Sequence, residues 1–436
     1  MSEKNLVENS KTKLSDLWRL EDWWAVWFGG ILLFLTAVGI VKVVPKIGKW
    51  KSSPIEAIPS DHIIPLIILF VLITILLSIG IAVMKSEKLS HYIPGFILVF
   101  ILSVVSYLFG NQVVIKQYGL GYALWALAIG LIIANTVGTP GWLKAGARSE
   151  LYIKTGLVLL GAEILFNNIL KLGAPGIMVA WGVTPVVLIF MFLFGTRYLK
   201  MASKSLIIVI ATATSVCGVS AAIAAAAACR AKKEELTLAI GMTMIFTVIM
   251  MVGMPALIKL IGLDDTVGGA WLGGTIDATG AVVAAGAFLG EEAEKVAAIV
   301  KLIQNVLIGI VAFFIAFYWV SVVERGKTDQ KPSLMEIWNR FPKFILGFIM
   351  ASVIFSFLLI PVVGEESVNS ILKQTKTFRG WFFCLAFVSI GLESNFAELS
   401  KHFSGGKPII LYLVGQSFNI ILTLLIAWIA FGIIWN

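Results

Sequence analysis

Charged residues are scarce in this sequence. Asp, Glu, Lys and Arg make up 14% of its 436 residues, whereas a soluble domain has about 25%. Hydrophobic residues make up 59%, and the mean hydropathy is +0.95. Many apolar runs reach about 20 residues, the length of a helix that crosses a bilayer. The composition therefore excludes a soluble protein. It predicts an all-α polytopic membrane protein whose surroundings are a lipid bilayer.

Histidine and cysteine are almost absent, with three residues of each. The histidines lie in predicted loops, and the cysteines lie in or beside apolar runs without the spacing of a metal site. The sequence contains no Ser-His-Asp arrangement, HExxH motif or GxxxxGK[ST] loop. These absences argue against a hydrolase, a zinc protease and a pump driven by ATP on its own. We therefore expect no enzyme activity, no metal site and no organic cofactor.

The net charge is +9, but no basic patch is interleaved with aromatic residues, so a nucleic-acid partner is not expected. Lysines and arginines that hold cytoplasmic loops in place explain the excess of positive charge. The polar segment of residues 1–22 is too long and too mixed in charge for the start of a signal peptide. We interpret residues 1–22 as a cytoplasmic segment and residues 23–90 as accessory helices.

Two short stretches share an unusual composition. ATATSVCGVSAAIAAAAACRAKKEEL begins at Ala211, and GTIDATGAVVAAGAFLGEEAEK begins at Gly274. With Gly218 aligned on Gly280, both show small and hydroxyl residues, a glycine, an alanine-rich half and a charged turn. Irregular backbone persists at membrane depth only where protein covers it or where it lines a cavity. We interpret the pair as two halves of a transport site. The alternative is two Gly/Ala faces that only pack helices.

The predicted substrate-binding residues come from the middles of these stretches and from the helix after the second one. In the stretches they are Thr214, Ser215, Cys217, Gly218, Ser220, Thr275, Thr279 and Gly280. The following helix adds a polar stripe at spacings i, i+3 and i+4, formed by Lys301, Gln304 and Asn305. Bonds between helices are the alternative role for Gln304 and Asn305.

Ionisable side chains at membrane depth are costly and point to function. Asp277 lies between two threonines inside the second stretch, so we expect it to pair with Lys301, bind a cation or carry a proton. Glu163 and Glu393 are further candidates for ion coupling, with helix packing as the alternative. Lys154 lies near a helix end, where its ammonium group can reach the membrane surface, and a functional role is the equally weighted alternative.

Charge also predicts how the two stretches enter the membrane. The segment 205–228 has Lys and Arg on both flanks, and the segment 266–290 has Asp and Glu on both flanks. By the positive-inside rule, each segment enters and leaves on one side. We therefore predict about eleven full spans and two re-entrant hairpins, with the N-terminus inside and the C-terminus outside. Two broken helices that cross the membrane are the alternative, and the lysine-rich loop at 42–51 fits the predicted topology poorly.

A second internal similarity points to symmetry. LLGAEILFNNIL (159–170) resembles SIGLESNFAELS (389–400), and Glu163 then matches Glu393. In the predicted topology the two matched helices run in opposite directions, as do the two hairpins. Inverted repeats with interrupted segments are typical of secondary transporters. We therefore predict two repeat-containing halves, residues 94–262 and 266–434.

The stretches ELYIKTGLVLLGAEI, TATSVCGVSAAIAAAAACRAKKEE and GGTIDATGAVVAAGAFLGEEA, with VKLIQ after them, resemble the sulfate exporter family (YeiH-type). The resemblance covers roughly residues 94–434. It implies a multispan secondary transporter of a small anion in a prokaryotic cell membrane. Where many members carry a His-Glu pair, this chain has Asp277 and Ala278, and where many carry basic residues it has Glu163, Glu393 and Asn305. These departures favour a different anion from sulfate, or coupling to a cation.

The sequence thus predicts a secondary active transporter of a small inorganic or organic anion, with sodium or a proton as coupling ion. The substrate is expected between half-helix N-termini at the two breaks. An ion channel is the alternative, although no ring-forming filter motif is present. The substrate's identity, the direction of transport and the formation of a homo-oligomer stay open at this point.

Overall fold

The computed structural model describes residues 15–117, 121–164, 166–323, 338, 341–400 and 406–434. Throughout this part of the chain the regular structure is helical, with one isolated β-bridge between Trp50 and Gln112. The chain forms two compact units. Unit 1 contains Lys171–Pro342 and Phe396–Asn436, and unit 2 contains Lys13–Leu170 and Lys343–Asn395.

The helices of the described residues are numbered here in chain order. They are α1 (Asp16–Arg19), α2 (Glu21–Ala37), α3 (Ser60–Met84), α4 (Leu89–Asn111), α5 (Val113–Gln117), α6 (Tyr122–Thr136), α7 (Gly141–Gly146), α8 (Ser149–Glu163), α9 (Phe166–Leu193), α10 (Lys204–Thr212), α11 (Gly218–Ala228), α12 (Lys233–Ile261), α13 (Asp265–Thr275), α14 (Thr279–Leu289), α15 (Glu291–Tyr318), α16 (Phe344–Val353), α17 (Ile360–Val363), α18 (Glu365–Glu393), α19 (Phe396–Ser400) and α20 (Gly406–Ala427). Short π-helical turns adjoin α9, α10, α15, α16 and α20.

Eight helical stretches of the described chain are long and apolar enough to cross a membrane. They are Ser60–Met84, Leu89–Asn111, Lys171–Tyr198, Lys204–Ala228, Glu234–Ile261, Glu291–Val323, Phe344–Val363 and Gly406–Ile434. The all-α, multi-pass architecture expected from composition is confirmed. The count of eleven spans, the inverted repeats and the halves 94–262 and 266–434 stay predictions.

In unit 2, helices α8 and α18 run antiparallel. Arg379 Nε donates to Glu163 Oε1 at 2.8 Å, which places the end of α8 beside the middle of α18. Ser149 Oγ donates to Glu393 Oε2 at 2.6 Å, which places the start of α8 beside the end of α18. The two helices approach closely because Gly156 lacks a side chain; a Cβ atom there would lie 2.3 Å from the Phe383 ring.

In unit 1, the segment that contains α10 and α11 folds back on itself. Ser203 caps α10, its hydroxyl accepting from Leu206 N at 3.2 Å. The π-helical turn Ala213–Cys217 and a break at Gly218 separate the two helices. Beyond α11, the Cys229 thiol contacts Ser205 O at 4.0 Å, so the end of the segment returns to its beginning. The segment Lys204–Ala228 is therefore a helical hairpin, and it has the length of a membrane span only when its two arms are counted together.

The segment that contains α13 and α14 is a second helical hairpin. Asp264 caps α13, its carboxylate accepting from Thr266 N at 2.9 Å. At the far end, a Cβ atom on Gly290 would lie 3.7 Å from Asp265 Oδ2, so the two ends of the segment meet. Both arms also pack against α15 at the same height: Cβ atoms on Gly269 and Gly286 would each come within 3.2 Å of Ala293 O. Both stretches therefore return to their starting points, and their entry into the membrane as re-entrant hairpins stays a prediction.

Candidate functional site

The tips of the two hairpins meet inside unit 1. The first tip ends at Gly218, whose φ of 21° is unfavourable for residues with a side chain. A Cβ atom there would lie 2.9 Å from Thr243 Cγ2 and 3.0 Å from Asp277 O. Asp277 belongs to the second tip, the short non-helical link between α13 and α14. Glycine is therefore required at position 218 both by its dihedral angles and by the closeness of the opposite tip.

Helix α15 supplies donors to the backbone carbonyl groups that the breaks release. Lys301 Nζ donates to Val216 O at 2.7 Å. Gln304 Nε2 donates to Ser215 O at 3.1 Å and to Gly274 O at 3.2 Å, so one amide joins both tips. Carbonyl groups at a helix end lack partners within the helix. The polar stripe predicted on this helix therefore stabilises the two breaks.

Side chains of helix α20 also donate to backbone carbonyl groups at the two breaks. Asn419 Nδ2 donates to Thr214 O at 3.2 Å and to Thr275 O at 3.4 Å. Gln416 Nε2 also donates to Thr275 O, at 3.1 Å. Each of these side chains is at least nine-tenths buried. The carbonyl groups at both breaks are thus satisfied by side chains, which leaves few of these donors for a ligand.

The charged side chains near the tips do not pair directly with each other. Lys301 Nζ donates to Val216 O and to Gln304 Oε1, both neutral acceptors. Asp277 Oδ2 accepts from Tyr412 OH at 2.5 Å. The expectation of a direct Asp277–Lys301 ion pair is wrong, because the carbonyl group freed by the first break binds the ammonium group instead. Cation binding and proton uptake remain as the predicted roles of Asp277.

Two helix N-termini also begin at the tips. Helices α11 and α14 start at Gly218 and Thr279, and neither N-terminus has a side-chain cap. Cys217 Sγ lies 3.7 Å from Thr279 Oγ1, so the two starting points are close together. Thr279 Oγ1 also accepts from Asn305 Nδ2 at 3.0 Å. Uncapped N–H groups and the helix dipole favour negative charge at such ends.

Six buried side chains around the tips each have one polar atom without a hydrogen-bond partner in the described part of the chain. These atoms are Ser215 Oγ, Thr247 Oγ1, Thr275 Oγ1, Asp277 Oδ1, Asn305 Oδ1 and Gln416 Oε1. All six are oxygen atoms, and the residues are at most 6% exposed. Unpartnered buried polar atoms are rare in folded proteins and need an explanation. Their concentration around the tips makes this place the candidate binding site.

The structure gathers most of the predicted site residues at the tips. Thr214, Ser215, Cys217, Gly218, Thr275, Asp277, Thr279, Gly280, Lys301, Gln304 and Asn305 are all buried in unit 1. Thr214 contributes its carbonyl group, because its hydroxyl donates to Ile210 O at 2.9 Å. Ser220, in contrast, is exposed. Whether it lines the site stays a prediction, since it lies on the first turn of α11 but is not buried with the others.

Glu163 and Glu393 lie in unit 2 and have local partners. Glu163 pairs with Arg379, and Glu393 accepts from Ser149. Glu393 also lines a cavity of about 410 Å³ together with Lys144 and other polar residues. A coupling role for either carboxylate stays a prediction.

Lys154 has three acidic partners in the same unit. Its Nζ lies 3.4 Å from Glu21 Oε1, 3.0 Å from Asp22 Oδ1 and 3.3 Å from Glu150 Oε2. This network joins α2 to α8 and explains the lysine by ion pairing rather than by reach to the membrane surface.

Sequence reasoning missed two contributors to the site. Thr184 of α9 donates to Ser215 O at 2.9 Å. Helix α20 supplies a polar stripe at spacings i, i+4, i+7 and i+11, formed by Tyr412, Gln416, Asn419 and Thr423. These residues lie on one helix face in an otherwise apolar segment, a signal that the sequence contains.

Comparison with known proteins gives a family. The family described as Conserved hypothetical protein 698 matches residues 94–412. A UPF0324 membrane protein of Rhodopirellula baltica is 53% identical over 391 residues, 89% of this chain and 72% of the relative. One from Nitratidesulfovibrio vulgaris is 54% identical, covering 84% of this chain and 64% of the relative. A third, from Nitrosomonas europaea, is 30% identical and covers 97% of each chain. No solved structure matches.

Proposed function

The chain belongs to the UPF0324 family of multi-pass membrane proteins, and we propose that it is a secondary active transporter of a small anion. The substrate binds at the hairpin tips of unit 1. The observation that supports this most directly is the meeting of two uncapped helix N-termini, those of α11 and α14, at a buried point. Two positive dipole ends at one place attract an anion.

The hydroxyl groups at the tips and the ammonium group of Lys301 complete the proposed anion site. Thr279 belongs to the first turn of α14, and Ser215 precedes α11 by one short turn. Lys301 uses two of its three N–H groups on neutral acceptors. Its third N–H group and its positive charge are available to an anion. Small hydroxyl groups and few cations suit a small, weakly charged substrate.

Charge balance favours coupling of this anion to a cation. Asp277 and Lys301 bring one negative and one positive charge into the buried site. An anion or a cation that binds alone adds uncompensated charge away from water, which is costly. One monovalent anion bound together with one cation restores neutrality. We therefore propose that a sodium ion or a proton at Asp277 accompanies the substrate.

The proposed topology has eleven spans, two re-entrant hairpins and inverted repeats in a prokaryotic plasma membrane, with the N-terminus inside. The return of each hairpin to its starting point supports this arrangement. Lys204→Cys and Ala231→Cys are expected to react with a membrane-impermeant thiol reagent from the cytoplasmic side only. Reaction of the two positions from opposite sides would contradict the re-entrant arrangement.

The resemblance and the site together support the proposed substrate class. The similarity to the sulfate exporter family favours an inorganic or small organic anion. The presence of Asp277 and Asn305 in place of further basic residues favours an anion with less charge than sulfate. The names of the relatives above specify no substrate.

Transport assays in proteoliposomes test the proposal. A panel of labelled anions, including sulfate and small carboxylates, is offered with and without a sodium gradient. A carrier shows faster uptake when unlabelled substrate is present inside, whereas a channel conducts current without such exchange. Conduction without exchange would replace the transporter by the channel alternative.

The glycine at the first tip offers a sharper test. Gly218→Leu should abolish transport while folded protein persists in the membrane, because the added side chain collides with the second tip. The matched control is Gly253→Leu, since a Cβ atom at Gly253 meets no other atom within 4 Å. Full transport by Gly218→Leu would show that this glycine only packs helices.

A further inference from the structure

We propose that Asp277 Oδ1, Gln416 Oε1 and Thr275 Oγ1 form a sodium site beside the anion-binding N-termini. This inference deepens the proposed function and rests on it for its role in coupling, although sodium binding itself can be measured without any transport. The three atoms are buried oxygen atoms without a hydrogen-bond partner in the described chain.

The three residues are tied together by bonds that leave these oxygen atoms free. Tyr412 OH donates to Asp277 Oδ2, and Gln416 lies one turn after Tyr412 on α20. Gln416 Nε2 donates to Thr275 O, two residues before Asp277 in the chain. The same short piece of the second tip and the same helix face therefore hold all three oxygen atoms. Asn419 adds a second donor to Thr275 O and fixes the tip further.

The orientation of the Gln416 amide follows from its partner. The backbone carbonyl group of Thr275 can only accept, so the group facing it must be the NH₂ group. The amide oxygen consequently points elsewhere and needs a donor or a cation. Asn305 is not included in the proposed set, because its partner, the Thr279 hydroxyl, can donate as well as accept.

An accounting of donors and acceptors favours a cation at this position. The nearby amide groups of Gln304, Gln416 and Asn419 direct their N–H groups to backbone carbonyl groups. The polar atoms that have no partner beside them are a carboxylate oxygen, an amide oxygen and a hydroxyl oxygen. An anion would find repulsion from the first two, whereas a cation satisfies all three at once.

The chemistry of the set selects a monovalent hard cation. Calcium takes a larger set of oxygen ligands, magnesium keeps several water molecules, and transition metals such as zinc and copper favour His and Cys ligands. The described chain has no group of three His, Cys, Asp or Glu residues that could hold a metal ion. One carboxylate with neutral oxygen ligands matches a single positive charge. In secondary transporters, coupling ions bind at interrupted helices like those at the two tips.

Sodium binding is testable on the purified full-length protein in detergent, without a transported substrate. Thermal unfolding is followed while sodium chloride replaces choline chloride, so that the chloride concentration and ionic strength stay constant. We expect saturable stabilisation by sodium, because a ligand of the folded state raises its stability by mass action. Titration of sodium in a calorimeter should give the same dissociation constant.

Two variants report on the site itself. Asp277→Asn keeps the shape of the side chain and an acceptor for Tyr412, and it should weaken sodium binding at least tenfold. Thr275→Val removes only the hydroxyl, because Gln416 and Asn419 bind the backbone oxygen of this residue. It should weaken sodium binding while the protein still folds. Glu365→Gln, an exposed carboxylate in unit 2, is the control and should bind sodium normally.

Three results would overturn the sodium site. One is identical melting in sodium and choline chloride. Another is normal sodium affinity in both Asp277→Asn and Thr275→Val. The third is a thermal stability of the wild type that depends on pH but not on sodium, together with loss of this pH dependence in Asp277→Asn. That result would show that Asp277 binds a proton instead of sodium. Anion transport that continues without sodium would leave the proposed function intact, whereas sodium binding without any anion transport would leave only the cation site.

Discussion

The two units use buried charge in different ways. In unit 2, Glu163 forms a 2.8 Å ion pair with Arg379, and Lys154 lies within 3.4 Å of three acidic side chains. In unit 1, Lys301 and Asp277 are at most 1% exposed, yet their hydrogen bonds run to neutral groups. Each of these two residues thus has a charge without a direct counter-charge.

The difference shows two ways in which a membrane protein can keep charged side chains buried. A direct ion pair offsets much of its own desolvation cost and fixes the packing of two helices. A charge held by neutral groups stays available to a ligand of opposite sign, and ligand binding then stabilises the site. The direct pairing of Glu163 with Arg379 fits the helix-packing alternative for this glutamate, while its coupling role stays a prediction. The separated charges of unit 1 are the expected arrangement for a site that binds and releases ions.

Breaking the ion pair of unit 2 should have the largest effect on stability. Arg379→Met breaks the ion pair with Glu163, and removal of one partner of a buried pair costs about 3–5 kcal/mol. Unfolding by denaturant in detergent measures this loss. The double variant Glu163→Gln/Arg379→Met should recover much of it, because no uncompensated charge remains. A single variant as stable as the wild type would remove the contrast between the units.

Tyr412→Phe should have an intermediate effect in unit 1. It removes the donor to Asp277 Oδ2, and a hydrogen bond to a charged group contributes about 1.5–3 kcal/mol. We expect Tyr412→Phe to be less stable than the wild type in choline chloride. The difference should be smaller in sodium chloride, because a bound sodium ion then compensates the charge of the Asp277 carboxylate. The measurement is the same thermal unfolding in both salts. An equal deficit in both salts would show that Tyr412 and Asp277 form a structural pair unrelated to the ion.

Much of this architecture follows from local sequence signals. Like charges on both flanks of 205–228 and of 266–290 predicted chain reversal, and both segments are hairpins. Glycine and hydroxyl residues in their middles predicted the tips, where Gly218 leaves room for the opposite backbone. Composition and flanking charge act over a few residues, so a single sequence is sufficient to reveal them.

Partner choice across the fold could not be predicted in the same way. The ammonium group of Lys301 binds the backbone oxygen of Val216. This oxygen is free because the helix is interrupted there, and the residue types alone do not specify the direction in which it points. The partner of Glu163 is Arg379, 216 residues away in the chain. Such contacts depend on how the helices pack, which the spacing of residues within one segment does not specify. The α20 stripe was detectable from its spacing, but its role depends on reaching the tip at Thr275.

The smallest effects should distinguish the inside of the first tip from its outside. Ser215 and Ser220 are five residues apart, and Ser215 is 1% exposed whereas Ser220 is exposed. Ser220→Ala should change stability by less than about 0.5 kcal/mol, as is usual for surface positions, and should leave transport unchanged. Ser215→Ala also leaves the backbone intact, and the carbonyl group that Gln304 and Thr184 bind is retained. The folding of Ser215→Ala should therefore be nearly normal.

The apparent substrate affinity of Ser215→Ala should fall, because a buried, unpartnered hydroxyl beside the N-terminus of α11 is lost. Uptake measured over a range of substrate concentrations separates the two serines. Equal affinities in both variants would place the substrate away from the first tip, and the two N-termini would then no longer define its site.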